Sequence, residues 1–141
     1  MRTEDYIFAV ILIDDDAAEK ALVERIFNSL TDQPFRFDHV TRCSKAIALL
    51  DERSYDLVLL DDRLSERMSA KFSVPIIKAA IGTDPIAVIS NDISPEYLQD
   101  RTALGVDYIV DKADIIAFLT SQMPRLLGGQ ASHANQAQRI S

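Results

Sequence analysis

The chain has 141 residues, 48% of them hydrophobic and 26% charged, a size and balance that fit one water-soluble domain able to bury a core without staples. Its net charge of −7, from 15 Lys and Arg against 22 Asp and Glu, leaves no basic stripe for nucleic acid. No run of about 18 apolar residues exists to span a membrane; the acidic N-terminus lacks the pattern of a secretory leader; and a lone Cys43 cannot form an internal disulfide, which together fit a cytoplasmic protein.

In chain order, Ile7–Ile13 reads as the first strand. A helix follows in which Ala18, Leu22, Ile26 and Leu30 recur at i+4, with Val23 and Phe27 widening the stripe. Phe35–Val40 is the second strand, and Ser44 is a candidate N-cap for a second helix carrying Ile47 and Leu50. Asp56–Leu60 is the third strand. Ser73 and Pro75 predict the start of a third helix that stops before Gly82. Ile86–Ile89 is the fourth strand, and Ser94-Pro95 and Gly105 bracket a single fourth helix. Tyr108–Val110 is the fifth strand. A fifth helix runs from about Ala113 to Met123 or slightly beyond, with Ile115, Phe118, Leu119 and Met123 as its apolar side and Pro124 and Gly128-Gly129 beyond it.

Strands one, three and four are nearly unbroken Ile, Val, Leu and Ala, the composition of strands covered on both faces. Five strand–helix alternations predict an α/β fold with a parallel sheet and right-handed crossovers. The expected domain spans residues 1–128; residues 129–141, without periodicity and rich in Gln, Ala, Ser and Asn, read as a disordered tail.

In such sheets function gathers at the carboxyl ends of the strands. Strand one ends at Asp14 and Asp15, strand three at Asp61, strand four at Ser90, and Lys112 follows strand five. Singly, each is an ordinary turn or surface residue. Jointly they place three acids, a hydroxyl and an amine on one edge. Carboxylates about 4 Å apart repel by roughly 4 kcal/mol per pair at an effective dielectric of about 20. A raised pKa or a bound cation must offset that. Hard oxygen ligands suit Mg²⁺, and the whole set suits a phosphoryl group: metal and amine on its oxygens, with a hydrogen bond from the hydroxyl.

With these residues the sequence resembles the response-regulator receiver family, the CheY-like fold, from Ile7 to Leu127. The resemblance rests on Val10-Ile11-Leu12-Ile13-Asp14-Asp15-Asp16, Tyr55-Asp56-Leu57-Val58-Leu59-Leu60-Asp61, Pro85-Ile86-Ala87-Val88-Ile89-Ser90 and Gly105-Val106-Asp107-Tyr108-Ile109-Val110-Asp111-Lys112. Ser90 lies 29 positions after Asp61, and Lys112 22 after Ser90, both close to the family spacing. The resemblance implies a flavodoxin-like, doubly wound five-stranded parallel sheet in the order 2-1-3-4-5. It implies that Asp61 accepts phosphate from a histidine kinase or histidine phosphotransferase. Asp14, Asp15, Asp61 and the backbone carbonyl of Arg63 would hold Mg²⁺, while Ser90 and Lys112 would meet the phosphoryl oxygens. The output would be contact with a downstream protein target, homodimerisation through the fourth and fifth helices being compatible with the sequence, and no turnover enzyme would be expected.

Departures from the family pattern fall in four places. Leu64 is kept after Asp61, but the usual Pro and Gly of that loop are not. Asn91 is larger than the small residue expected after the switch hydroxyl. Ile109 stands where an aromatic reports the switch, with Tyr108 displaced onto the opposite strand face, so that coupling is absent or built differently. Ala113 replaces the Pro after the Lys. The altered loop, Asn91 and Ile109 favour a rival reading, a pseudo-receiver that binds a partner without being phosphorylated; the intact acidic pair, Asp61, Ser90 and Lys112 disfavour it. A phosphatase of the haloacid dehalogenase type is a poorer match. Asp14-Asp15-Asp16 contains its Asp-x-Asp, but Ala17-Ala18-Glu19 follows, and the acidic pair Asp61-Asp62 precedes rather than follows Lys112.

Overall fold

A computed structural model describes residues 7–31, 34–64 and 68–122. Strands β1 (Phe8–Ile13), β2 (Phe35–Val40), β3 (Leu57–Asp61), β4 (Ile86–Ser90) and β5 (Tyr108–Asp111) form one parallel sheet in the order β2-β1-β3-β4-β5. This is the order expected from the resemblance. The three apolar runs are the three central strands, and every residue of β1, β3 and β4 is buried. β2 and β5 form the edges and are mostly half-buried.

The period-two alternation of the strands divides the core into two layers. Ala9, Ile11 and Ile13 of β1, Val58 and Leu60 of β3, and Ile86 and Val88 of β4 face one side. There they pack on helices α2 (Cys43–Glu52) and α3 (Ala70–Ala80) through Ala46, Leu50, Val74 and Ile77. Phe8, Val10, Leu12, Leu57, Leu59, Ala87 and Ile89 face the other side, against Val23, Ile26 and Phe27 of α1 (Ala17–Leu30). Ile115 and Leu119 of α5, helical over 115–122, complete that layer. Tyr108 packs edge-on against Phe118 in this second layer, with ring centroids 5.1 Å apart, while Ile109 belongs to the first.

Three helix starts differ from the sequence expectation. α2 begins at Cys43 behind Arg42, so Ser44 lies inside the first turn and is not the N-cap. α3 begins at Ala70, not Ser73, and Pro75 sits inside it on the exposed side. Its first amide, Ala70 N–H, donates to the Asp62 carboxylate at 2.9 Å, which supplies the cap that the Ser69 side chain does not. The single fourth helix is instead a 3₁₀ turn, Glu96–Leu98, followed by a four-residue α4 (Arg101–Leu104). Asp100 divides them because its carboxylate accepts from both Thr102 and Ala103 N–H, restarting the helix. α4 ends at Gly105, whose φ of +94° is the left-handed conformation that glycine adopts without strain. Lys112–Asp114 form a 3₁₀ turn ahead of α5. The expected end of the fifth helix near Met123, Pro124 and Gly128-Gly129, the domain limit at 128, the tail over 129–141 and the Ser65–Arg67 part of the loop after Asp61 lie outside the described residues.

Candidate functional site

Parallel pairing in register carries the strand ends to one edge: Ile13 stands beside Leu60, Asp61 beside Ile89, and Ser90 beside Asp111. Asp14 continues β1, its N–H held by the Val40 carbonyl at 3.0 Å. His39 Nε2 lies 2.7 Å from the Asp14 carbonyl oxygen; since a carbonyl only accepts, that nitrogen carries the proton. Asp14 Oδ1 in turn accepts from Asp16 N–H, and Asp16 caps α1 through Ala18 N–H. The turn that leaves β1 is thus built by the acids themselves.

The structure brings four of the predicted residues together. One carboxylate oxygen from each of Asp14, Asp15 and Asp61 lies within 4.8 Å of the others. Asp14 and Asp61 are buried and Asp15 is exposed. Lys112 reaches in from the end of β5, its Nζ 3.2 Å from Asp61 Oδ1 and 3.5 Å from Asp14 Oδ2. Lys112 thus pairs with two of the three clustered carboxylates. Burial, and then the charge of Asp14, push the Asp61 carboxyl up from 3.8 to about 7, against the opposing pull of Lys112 and of a hydrogen bond from Arg63 N–H. Burial pulls the Lys112 amine down, but Asp61, Asp14 and Glu19 outweigh it and the net shift is upward. The donor set and its surplus negative charge fit a hard divalent cation. Arg63 lines the same edge; its side chain is exposed, with Nε 3.7 Å from Asp62 Oδ2.

Ser90 is placed differently from the other four. It lines a cleft of about 260 Å³ with Asp61, Asp62, Arg63, Asn91, Asp92 and Lys112. Its hydroxyl, however, is directed to the Asp92 carbonyl at 2.9 Å and to Asp62 Oδ2 at 3.3 Å. Strand alternation explains this. Ser90 follows Val88 on the layer that faces α3, whereas Asp61 follows Leu59 on the α1 side, so the even-numbered neighbour Asp62 is the carboxylate on the hydroxyl's side.

Four residues at this edge escape a reading of strand ends. Glu19, on the first turn of α1, has its carboxyl raised by burial, with Lys112 opposing; its buried Oε2 has no hydrogen-bond partner among the described residues. Its position one turn after the acidic triplet is a usable signal. His39 orients Asp14 from the edge strand. Asp62, 1% exposed, accepts from Ala70 N–H, from Ser90 and from Tyr97 Oη at 2.8 and 2.9 Å. Tyr97 lies 35 residues from Asp62, and nothing local in the sequence announces the pair.

No family model matches the chain, and no curated protein matches it. Solved structures do. The receiver domain of a sensor histidine kinase from Pseudomonas aeruginosa, described with magnesium coordinated in its active site cleft, superposes with a TM-score of 0.70. It shows 19% identity over 87% of this chain and 99% of that one. A LuxR-family DNA-binding response regulator from Silicibacter pomeroyi gives 0.70 at 21% identity, covering 87% of this chain and 93% of that one. Chemotaxis protein CheY4 of Vibrio cholerae gives 0.70 at 17% identity, covering 86% and 99%. At these identities the likeness concerns the fold. The chain has the CheY-like receiver fold, with an acidic cluster at its carboxyl edge. Among the described residues no helix is long and apolar enough to cross a membrane.

Proposed function

We propose that this chain is a phosphorylatable two-component receiver that takes a phosphoryl group on Asp61 from a phosphohistidine, supplied by a histidine kinase or a histidine phosphotransferase. The observation that carries the reading is the buried Asp61 carboxylate, 3.2 Å from Lys112, clustered with Asp14 and Asp15 and opening on a cleft of about 260 Å³. Asp14, Asp15, Asp61 and the backbone carbonyl of Arg63 would hold Mg²⁺; the ion described in the Pseudomonas receiver supports the same choice here. When bound, the ion supplies positive charge to the carboxylates and to the phosphoryl oxygens. A carboxylate oxygen of Asp61 attacks phosphorus; the P–O bond forms as the P–N bond breaks, and the imidazole leaves with the electron pair and takes a proton from water. Lys112 pairs with one phosphoryl oxygen, and Ser90, once turned from Asp92, donates to another. The phosphorylated protein is the signal, passed to a downstream protein in the cytoplasm, and the chain is not an enzyme in the turnover sense.

A second reading, a partner-binding module that is never phosphorylated, draws support from the Ser90 hydroxyl being tied to Asp92 and Asp62. Intact mass after incubation with acetyl phosphate and Mg²⁺ decides between them. The first reading expects one phosphoryl adduct, absent in Asp61→Asn; the second expects none.

A further inference from the structure

A second cleft, of about 500 Å³, lies between β5 and α5 and is lined by none of the residues clustered at Asp61. Half-buried Ile93, Ile109 and Phe118 give it an apolar floor. Asp114, Phe118 and Ser121, at i, i+4 and i+7, form its wall on one helical face. Asp111 and Asp114 both line the cleft, and no Lys or Arg does so among the described residues. Asp111 Oδ1 accepts from Ala113 N–H at 2.9 Å, but among the described residues neither acid is in an ion pair. The cleft thus joins exposed apolar surface to uncompensated negative charge, a combination that calls for a ligand with an apolar and a cationic group side by side.

The chain carries that complement in its own C-terminal segment. Residues 123–141 contain no Asp or Glu and carry Arg125 and Arg139, whereas residues 1–122 hold 22 acids against 13 Lys and Arg. Beyond Gly128-Gly129 the charged residue and the large apolar residue are neighbours, Arg139-Ile140. α5 is described to residue 122 and Ser121 already lines the cleft, so the chain departs at its mouth. Two adjacent glycines allow the sharp reversal that a return along α5 needs. The 12 residues from Gln130 onward reach up to about 40 Å when extended, and the way back from Ser121 to Asp114 is only about 10 Å. The N-terminal residues 1–6 have the wrong sign, Glu4 and Asp5 against Arg2. The other exposed apolar stripe, Phe72, Pro75 and Ile76 on α3, is flanked by Lys71 and Lys78, which repel a basic segment.

We propose that the segment 130–141 folds back into the β5–α5 cleft, with Ile140 on the floor of Ile93, Ile109 and Phe118 and Arg139 paired with Asp111 and Asp114. A protein that takes this face then has to displace the chain's own tail, which acts as a built-in competitor. The proposal stands whether or not Asp61 accepts phosphate.

Paramagnetic broadening in amide NMR spectra of the full chain tests this. Cys43 is replaced by Ala so that a nitroxide sits only at Ser141→Cys. The label should remove more than half of the amide intensity of Ile93, Ile109 and Phe118, relative to the same sample with the label reduced. Adding Arg139→Glu and Ile140→Asp should restore those signals. Asp114→Arg should restore them as well, and Arg139→Asp on top of it should bring the loss back. Signals at Ile93, Ile109 and Phe118 that stay intact, or that are lost equally with and without the tail substitutions, overturn the proposal. Broadening of isotope-labelled chains by nitroxide-bearing chains mixed with them puts the segment on a second copy and overturns the return within one chain.

Discussion

Asp61 and Asp62 are adjacent, both buried, and opposite in condition. Asp61 shares the Lys112 amine with Asp14 and lies clustered with Asp14 and Asp15, and its carboxyl is driven up to about 7. Asp62 is surrounded by donors that are mostly neutral: an amide, a phenol and a hydroxyl. Strand alternation sends one to each side of the sheet. The difference separates a site held under electrostatic stress, where added positive charge would gain the most, from a carboxylate whose work is already done by the fold.

The largest test of that contrast is Asp62→Ala. It leaves Ala70 N–H and the Tyr97 phenol without their Asp62 acceptor, while the Ser90 hydroxyl keeps the Asp92 carbonyl, and should destabilise the protein by about 4 kcal/mol in chemical denaturation. Asp61→Asn should do the reverse. Below about pH 4 the carboxyl is protonated in both folded and unfolded chains; between 3.8 and about 7 the folded state keeps a proton that the unfolded state releases. Its contribution is therefore fully present at low pH, declines as pH rises and is lost above 7. Without divalent cation, Asp61→Asn should exceed the wild type by about 2 to 3 kcal/mol at pH 8 and converge with it below pH 4. Equal pH dependence for the two proteins would contradict the stressed site.

A divalent cation would supply the charge that the Asp61 side lacks. Mg²⁺ at about ten times its dissociation constant should stabilise the wild type by about 1.4 kcal/mol, chelator should reverse it, and Asp14→Asn should lose most of it, as thermal melts would show. At the small end stands the exposed pair Lys20–Glu24 on α1, 3.3 Å apart. Lys20→Ala should change stability by less than about 0.5 kcal/mol, so a larger loss would mean that charge on α1 reaches the site.

The stressed half of the comparison was legible in the sequence and the satisfied half was not. Asp14, Asp15, Asp61 and Lys112 each end or follow a strand, and unbroken apolar runs mark β1, β3 and β4 without reference to anything distant. Asp62 takes its meaning from Ser90 and Tyr97, 28 and 35 residues away, contacts that only the closed sheet creates. The helix starts failed for a related reason. Pro75 points to a first turn, yet α3 begins five residues earlier because Asp62, just past the end of β3, supplies the cap. Asp100, read as one more helix residue, restarts the chain by capping α4 itself.

The exposed margin of β2 has a consequence of its own. Along it Asp38 gathers Arg36 at 3.2 Å, Arg53 at 3.5 Å and the Tyr55 phenol at 2.6 Å, with the Arg36 guanidinium over the Tyr55 ring. A second chain adding a strand there would have to strip water from those charges and break their pairing. A sheet whose outermost strand is so defended resists edge-to-edge growth with further copies of itself, even at high local concentration.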